Sequence, residues 1–218
     1  MARLEAARRR IEAAGGDPEA VRVVAVTKGF GPEAVVTAAA SGLVDVGENY
    51  AQELTAKAAA VAPLTETTLR WHFLGALQRN KVRTLAPLVS LWQSVARPEE
   101  GIEIARRAPG AEVLVEVDTS GVAGRNGCTP GKTPGLVSEL EGLGLAVRGL
   151  MTVGPQDPDA AAAAFRTVRS LADQLGLVER SMGMSDDMES AVAEGSTMVR
   201  LGRALFGDRP PRQPATER

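Results

Sequence analysis

The sequence predicts a (β/α)8 TIM barrel. Three observations carry that reading: eight short β-like runs, a helix-forming stretch between most of them, and strands that are apolar at nearly every position. Strand and helix in alternation imply a parallel sheet, and near-continuous apolar strands imply a sheet covered on both faces. A doubly wound open sheet is the architectural alternative.

The chain opens on MARLEAARRRIEAAGG, which scatters Arg and Glu through its apolar positions. It reads as a first helix of a cytoplasmic protein and lacks the apolar centre of a secretory signal. The first strand is VRVVAVTK (21–28), almost unbroken Val and Ala ending on Lys28, followed by a Gly turn and the helical stretch PEAVVTAAAS. LVDVGEN (43–49) ends on Glu48 and Asn49 and leads into YAQELTAKAAA. WHFLGAL (71–77) and SLWQSV (90–95) are followed by RNKVRTLAPL and PEEGIEIARRA, rich in helix formers. VLVEVDTS (113–120) ends on Asp118 and Thr119, and VRGLMTVG (147–154) on Met151 and Thr152, each ahead of a further helical stretch. Asp157-Pro158 and Ser185-Asp186 supply cap signals. The last strands are ERSMGMS (179–185) and STMVRLG (196–202). One domain over 1–208 is expected, with the Pro-rich, polar DRPPRQPATER region giving a loose tail over 209–218.

Composition removes several functional classes. With 25 Lys+Arg against 27 Asp+Glu, the charge balance gives no reason to expect a general affinity for nucleic acid or anionic membrane, and no run approaches the length of a transmembrane helix. One cysteine, Cys128, and one histidine, His72, exclude an internal disulfide and a Cys/His zinc site. His72, alternating with Trp71 and Phe73, reads as a hydrogen-bonded structural residue rather than a general base. GCTPGKT (127–133) has three residues between its first glycine and Gly-Lys, where a nucleotide-binding phosphate loop needs four.

A barrel keeps its chemistry at the C-terminal ends of its strands. Lys28 there is either a solvated strand end or an amine able to condense with an aldehyde, its pKa lowered by burial or neighbouring cations. SMGMSDDMES and VRLGRALFG occupy the loops after strands seven and eight, where barrels commonly bind phosphate. Ser185 can offer a hydroxyl, and Gly202 and Arg203 backbone N–H groups. Equally, Ser185 can cap the next helix and Gly202 make a tight turn. Arg200, on a core strand, either faces a ligand or makes an ion pair with Glu48 or Asp118. Gln78, Asn80 and Lys81 are candidates for the rim. An electrophile facing Lys28 and a phosphate facing Ser185 and Gly202 together describe pyridoxal 5′-phosphate.

VVAVTK, VGENYAQE, WHFLGALQRNKV, RGLMTVG and SMGMSDDMESAVAEGSTMVRLGRALFG resemble, in order and spacing, the YggS/PROSC family of pyridoxal phosphate homeostasis proteins over residues 3–208. The resemblance implies a barrel like the N-terminal domain of alanine racemase, with pyridoxal phosphate held as a Schiff base on Lys28. It places Arg200 at the pyridine nitrogen, Asn49 beside the ring, and Ser185, Gly202 and Arg203 at the phosphate. It further implies buffering and delivery of the cofactor, with apo forms of pyridoxal phosphate enzymes as acceptors, no strong activity of its own, and a monomer. Two departures are visible: Arg203 stands where relatives usually have Thr or Ser, and Gly29-Phe30 follows the lysine in place of the commoner Thr-Lys-Pro. The alternative is a pyridoxal phosphate racemase. The expectation from sequence is that the chain stops short of the β-domain that gives racemases their second base, leaving its lone tyrosine, Tyr50, to serve.

Overall fold

A computed structural model describes residues 2–122 and 124–209. Eight strands are hydrogen-bonded in chain order, and the last returns to the first: β1 (Arg22–Val26), β2 (Asp45–Glu48), β3 (Arg70–Phe73), β4 (Val89–Val95), β5 (Glu112–Glu116), β6 (Ala146–Met151), β7 (Glu179–Ser181) and β8 (Met198–Leu201). All the pairs are parallel. The closing pair runs from Arg22 opposite Met198 to Ala25 opposite Leu201, so the sheet is closed and the open doubly wound alternative is excluded. Positions 210–218 of the expected tail lie outside the described residues.

Helices fill the connections: α1 (Ala2–Ala13) ahead of the first strand, then α2 (Pro32–Ala40), α3 (Ala51–Val61), α4 (Arg79–Leu85), α5 (Pro98–Arg107), α6 (Thr133–Gly142), α7 (Pro158–Gln174), α8 (Met188–Ala193) and the single turn α9 (Arg203–Phe206). Their starts follow local chemistry. The Asp157 side chain accepts the Ala160 N–H at 2.8 Å and Pro158 occupies the first turn, so α7 begins where the sequence predicts. At α5, Glu100 turns back to accept the Ala96 N–H at 2.7 Å. Helix α8 starts later than the Ser185-Asp186 signal predicts, with Asp187 as its flanking residue, which frees Ser185 from capping. No helix among the described residues is long and apolar enough to cross a membrane.

The near-continuous apolar strands serve two layers. In β5, Val113 and Val115 face the helices in the main core, whereas Leu114 faces inward with Val24, Leu91, Met151 and Met198. The inside of the barrel also carries polar groups. His72 is fully buried, with Nε2 2.8 Å from Asp45 Oδ1 and Nδ1 2.6 Å from Gln93 Nε2, which is the structural role its sequence context implies. Burial lowers its pKa, with Asp45 opposing, so it stays neutral at pH 7.

Gly75, just past β3, has no room for a side chain. An added Cβ would overlap the Asn49 carbonyl, and the Gly75 carbonyl is itself tied to the Ser94 hydroxyl at 2.5 Å. Gly75→Ala is therefore expected to cost about 1–3 kcal/mol, read as a fall of roughly 2–4 °C in melting temperature per kcal/mol. Gly131→Ala, where an added Cβ meets nothing within 4 Å, is the control expected to leave thermal unfolding unchanged.

Candidate functional site

The end of β1 is held on both sides of Lys28 and free at Lys28. The Thr27 hydroxyl donates to Glu48 Oε1 at 2.6 Å, and the Thr27 carbonyl accepts Lys57 Nζ at 2.7 Å. Lys57 also reaches Glu48 Oε1 at 2.6 Å and Glu53 Oε2 at 3.1 Å, and Glu53 accepts the Gly29 N–H at 2.9 Å. Lys57 and Glu48 are both buried, so the ion pair is strongly coupled to the position of the loop. Lys28 itself makes no ion pair or side-chain hydrogen bond among the described residues. Partial burial pushes its amine below the ordinary lysine range, and Arg209 and Arg200 add to the effect against the pull of Glu48 and Glu53. That raises the share of neutral amine at a given pH.

Lys28, Asn49, Ser185, Arg200, Gly202 and Arg203 all line one cavity of about 170 Å³ at the C-terminal mouth of the barrel. Its lining holds four cationic side chains, Lys28, Arg200, Arg203 and Arg209, against one carboxylate, Asp186. Such a balance suits a ligand with more than one negative charge. Asn49 Oδ1 is buried in this wall with no hydrogen-bond partner among the described residues.

The loops after β7 and β8 meet at Ser185, whose Oγ accepts the Ala204 N–H at 3.0 Å and keeps its own hydrogen to donate. Gly183 takes φ +90 and lets Met184 turn back, so that the Met184 N–H reaches Asp187 Oδ1 at 2.6 Å. An added Cβ on Gly202 would come within 3.3 Å of the Val26 carbonyl, and the Gly202 N–H has no hydrogen bond among the described residues. The Arg203 N–H stands in the first turn of α9, where backbone donors lack partners inside the helix. The Arg203 guanidinium pairs with Asp186 at the rim, with side-chain exposures of 55% and 74%. A pair so exposed adds little stability.

Arg200 is buried inside the barrel. Its NH1 donates to the Ser181 carbonyl at 2.7 Å and to Ser181 Oγ at 2.8 Å, and its NH2 donates to the Thr152 carbonyl at 2.7 Å. Its partners are thus strand-end groups of β6 and β7. Neither Glu48, which pairs with Lys57, nor Asp118, which binds Ser120 at 2.6 Å, fills the ion-pair alternative. Burial lowers the guanidinium pKa to about 10, with Glu116 and Asp187 opposing, so it remains charged at neutral pH.

Sequence reasoning missed two contributors, Arg209 and Lys57, and gave two strand-end residues, Thr152 and Ser181, no role. Arg209, assigned to the tail, lines the cavity beside Lys28. Ser181 and Thr152 hold Arg200, and Lys57 holds the loop; the spacing of Lys57 four residues after Glu53 on a helix was its available signal. Gln78 and Lys81 do reach the rim, in a neighbouring cavity of about 420 Å³ that shares Asn49, whereas Asn80 faces a separate cleft with Arg79 and Glu103.

A closed parallel barrel with a lysine after its first strand and two loops meeting at Ser185 and Gly202 after its last two defines a class, and the alanine racemase N-terminal domain model matches residues 2–210. The chain belongs to that family and, within it, to the pyridoxal phosphate homeostasis proteins. It is 41% identical to the pyridoxal phosphate homeostasis protein of Pseudomonas aeruginosa over 96% of this chain and 94% of the relative. It is also 41% identical to that of Deinococcus radiodurans, over 88% and 92% of the two chains. The structure of PipY from Synechococcus elongatus with PLP bound matches with a TM-score of 0.79 at 31% identity, covering 92% of this chain and 99% of PipY.

Glu116, at the end of β5, gives this site a pH signature. Burial pushes its pKa up to about 7, with the Asn126 amide and Arg200 opposing. The unfolded chain releases this proton near the usual 4.5, so between the two values the folded state holds more protons and stability falls as pH rises. Glu116→Gln is therefore expected to unfold at the same temperature as the wild type near pH 4 and at a higher one near pH 8. Melting of wild type and variant that stays equal at both pH values would show that folding leaves the Glu116 pKa unshifted.

Proposed function

We propose that this chain binds pyridoxal 5′-phosphate covalently at Lys28 and acts as a carrier that buffers and delivers it. The observation that carries the reading is the convergence of Lys28, Asn49, Ser185, Arg200, Gly202 and Arg203 on one cation-rich cavity. The polar lining fits the group: Ser185 and the turn at Gly202 and Arg203 offer donors to a phosphate, Arg200 offers N–H groups to a ring nitrogen, and the Asn49 side chain, with its Oδ1 unpartnered among the described residues, would stand beside the ring. Pyridoxal phosphate supplies an electrophilic aldehyde. The neutral Lys28 amine would hold the group by adding to that aldehyde with loss of water, as a Schiff base. The relatives' name and the bound PLP of PipY support the same reading.

Two observations favour a carrier over a racemase. Arg200 would offer a ring nitrogen a donor and no proton acceptor, which would make the ring a weaker electron sink. The candidates for a second base are poorly placed: Tyr50 is 50% exposed, and His72 is fully buried between Asp45 and Gln93. We take the acceptors to be apo forms of pyridoxal phosphate enzymes and the carrier to act as a cytoplasmic monomer.

Protein mixed with pyridoxal phosphate is expected to show an imine absorbance band that borohydride abolishes, with the reduced adduct on Lys28 by mass spectrometry. Lys28→Ala should lose the band and retain weaker cofactor affinity through the phosphate contacts. An adduct on Lys57, Lys81 or Lys132 would contradict the assignment. Incubation of the holoprotein with L- or D-alanine in deuterated water is expected to give no inverting α-hydrogen exchange. Exchange at an enzymatic rate, about 1–1000 per second, would favour the racemase alternative.

A further inference from the structure

Five side chains form a continuous hydrogen-bonded chain through the barrel interior, from the cavity to the opposite, N-terminal end. It runs Arg200, Ser181, Gln93, His72, Asp45. The steps are Arg200 NH1 to Ser181 Oγ at 2.8 Å, Ser181 Oγ to Gln93 Oε1 at 2.6 Å, Gln93 Nε2 to His72 Nδ1 at 2.6 Å and His72 Nε2 to Asp45 Oδ1 at 2.8 Å. Arg200, Ser181, Gln93 and His72 are buried, and Asp45 pairs onward with Arg70 at 3.4 Å, which is partly exposed. None of the four residues beyond Arg200 lines the cavity.

The direction of every bond follows from its first member. A guanidinium only donates, so Ser181 Oγ must accept from Arg200 and spend its one hydrogen on Gln93. Gln93 then presents its oxygen to Ser181 and its amide hydrogens to His72. His72 Nδ1 is left as the acceptor, and its proton sits on Nε2, donated to the Asp45 carboxylate. This is the single arrangement in which each donor meets an acceptor, and reversing any member leaves a buried polar group unpaired. The lowered pKa of His72 agrees with the neutral ring this requires.

The chain has a consequence at the cavity. Three of the five guanidinium hydrogens are used, on the Ser181 carbonyl, Ser181 Oγ and the Thr152 carbonyl. What remains is Nε–H and one hydrogen on NH2. Without Gln93, Ser181 Oγ–H has no fixed acceptor and the hydroxyl can rotate, so that of the two acceptors of Arg200 NH1 only the Ser181 carbonyl stays fixed. We infer that Gln93 and His72 are positioning residues for the cofactor: through Ser181 they fix the plane of the Arg200 guanidinium, and so determine that a ring nitrogen lying against it accepts a hydrogen bond and stays unprotonated. The inference rests on the proposed binding of pyridoxal phosphate in this cavity.

The test uses full-length protein loaded with pyridoxal phosphate carrying nitrogen-15 in its ring. The wild type is expected to give the chemical shift of an unprotonated, hydrogen-bonded ring nitrogen, and His72 to give the neutral Nε2–H pattern. Ser181→Ala and Gln93→Leu should both move the ring-nitrogen signal and weaken cofactor affinity by about tenfold, the scale of one lost hydrogen bond. Ser181→Thr, which keeps the hydroxyl, should restore the signal. Ser181→Ala removes a single oxygen, so it carries the test if Gln93→Leu fails to fold. A ring-nitrogen signal and affinity unchanged in Ser181→Ala, even with a lowered melting temperature, would overturn the positioning role and leave the cofactor reading intact. A wild type that takes up no cofactor would overturn both.

Discussion

Arg200 carries a full positive charge into the middle of the barrel, and the arrangement around it follows from the need to satisfy that charge away from water. Removing a guanidinium from water costs several kcal/mol unless its hydrogens find acceptors. A parallel barrel has acceptors to offer at its C-terminal end, where the strands run out of neighbours and their carbonyls are free. Arg200 takes two of them, from Ser181 and Thr152, together with the Ser181 hydroxyl. Glu116 lies close enough to oppose the lowering of the Arg200 pKa, yet it does not bind the guanidinium directly. The charge is thereby held in place without being neutralised, and it stays available to the cavity.

Lys28 and Lys57 show how the same side chain is put to opposite uses within one region. Lys57 lies among Glu48, Glu53 and the Thr27 carbonyl, and each of its three hydrogens has an acceptor. It is a structural cation, and its grip on Thr27 and, through Glu53, on Gly29 fixes the backbone on both sides of Lys28. Lys28 has cationic neighbours in Arg200 and Arg209 and no partner of its own among the described residues, which favours the neutral form a nucleophile needs. The rigid frame and the unpartnered amine are therefore products of one network. The phosphate side follows a similar division, with Ser185 and Ala204 joining two loops while the Gly202 N–H is left open.

The barrel was legible because its evidence is local. Each strand reads as a short apolar run, each helix as a stretch of helix formers with a cap, and eight alternations leave few closed arrangements. The residues at strand ends were legible for the same reason, since the architecture says where chemistry sits: Lys28, Asn49, Ser185, Arg200 and Gly202 were found by position along the chain. Partners were not. A run such as VRVVAVTK is apolar on both faces, so nothing in it says which residue faces inward, and Arg200 could not be assigned to Ser181 and Thr152 without knowing which strands close around it. Ser185 carried two readings because a serine before an acidic pair signals a helix start; the helix begins at Met188 instead, and the hydroxyl turns to Ala204. Arg209 was read from the composition of the segment around it, whereas its place beside Lys28 depends on α9 returning the chain to the barrel mouth.

The central claim is that one cavity holds pyridoxal phosphate by three separate handholds: the amine of Lys28, the Ser185–Gly202–Arg203 turn and the Arg200 guanidinium. A crystal structure of the protein grown with pyridoxal phosphate tests this most directly. The account predicts density continuous from Lys28 Nζ to the cofactor, the phosphate within hydrogen-bond distance of Ser185 and the Gly202 N–H, and the ring nitrogen against Arg200. A phosphate bound elsewhere on the rim, or a ring nitrogen turned away from Arg200 toward solvent, would contradict it.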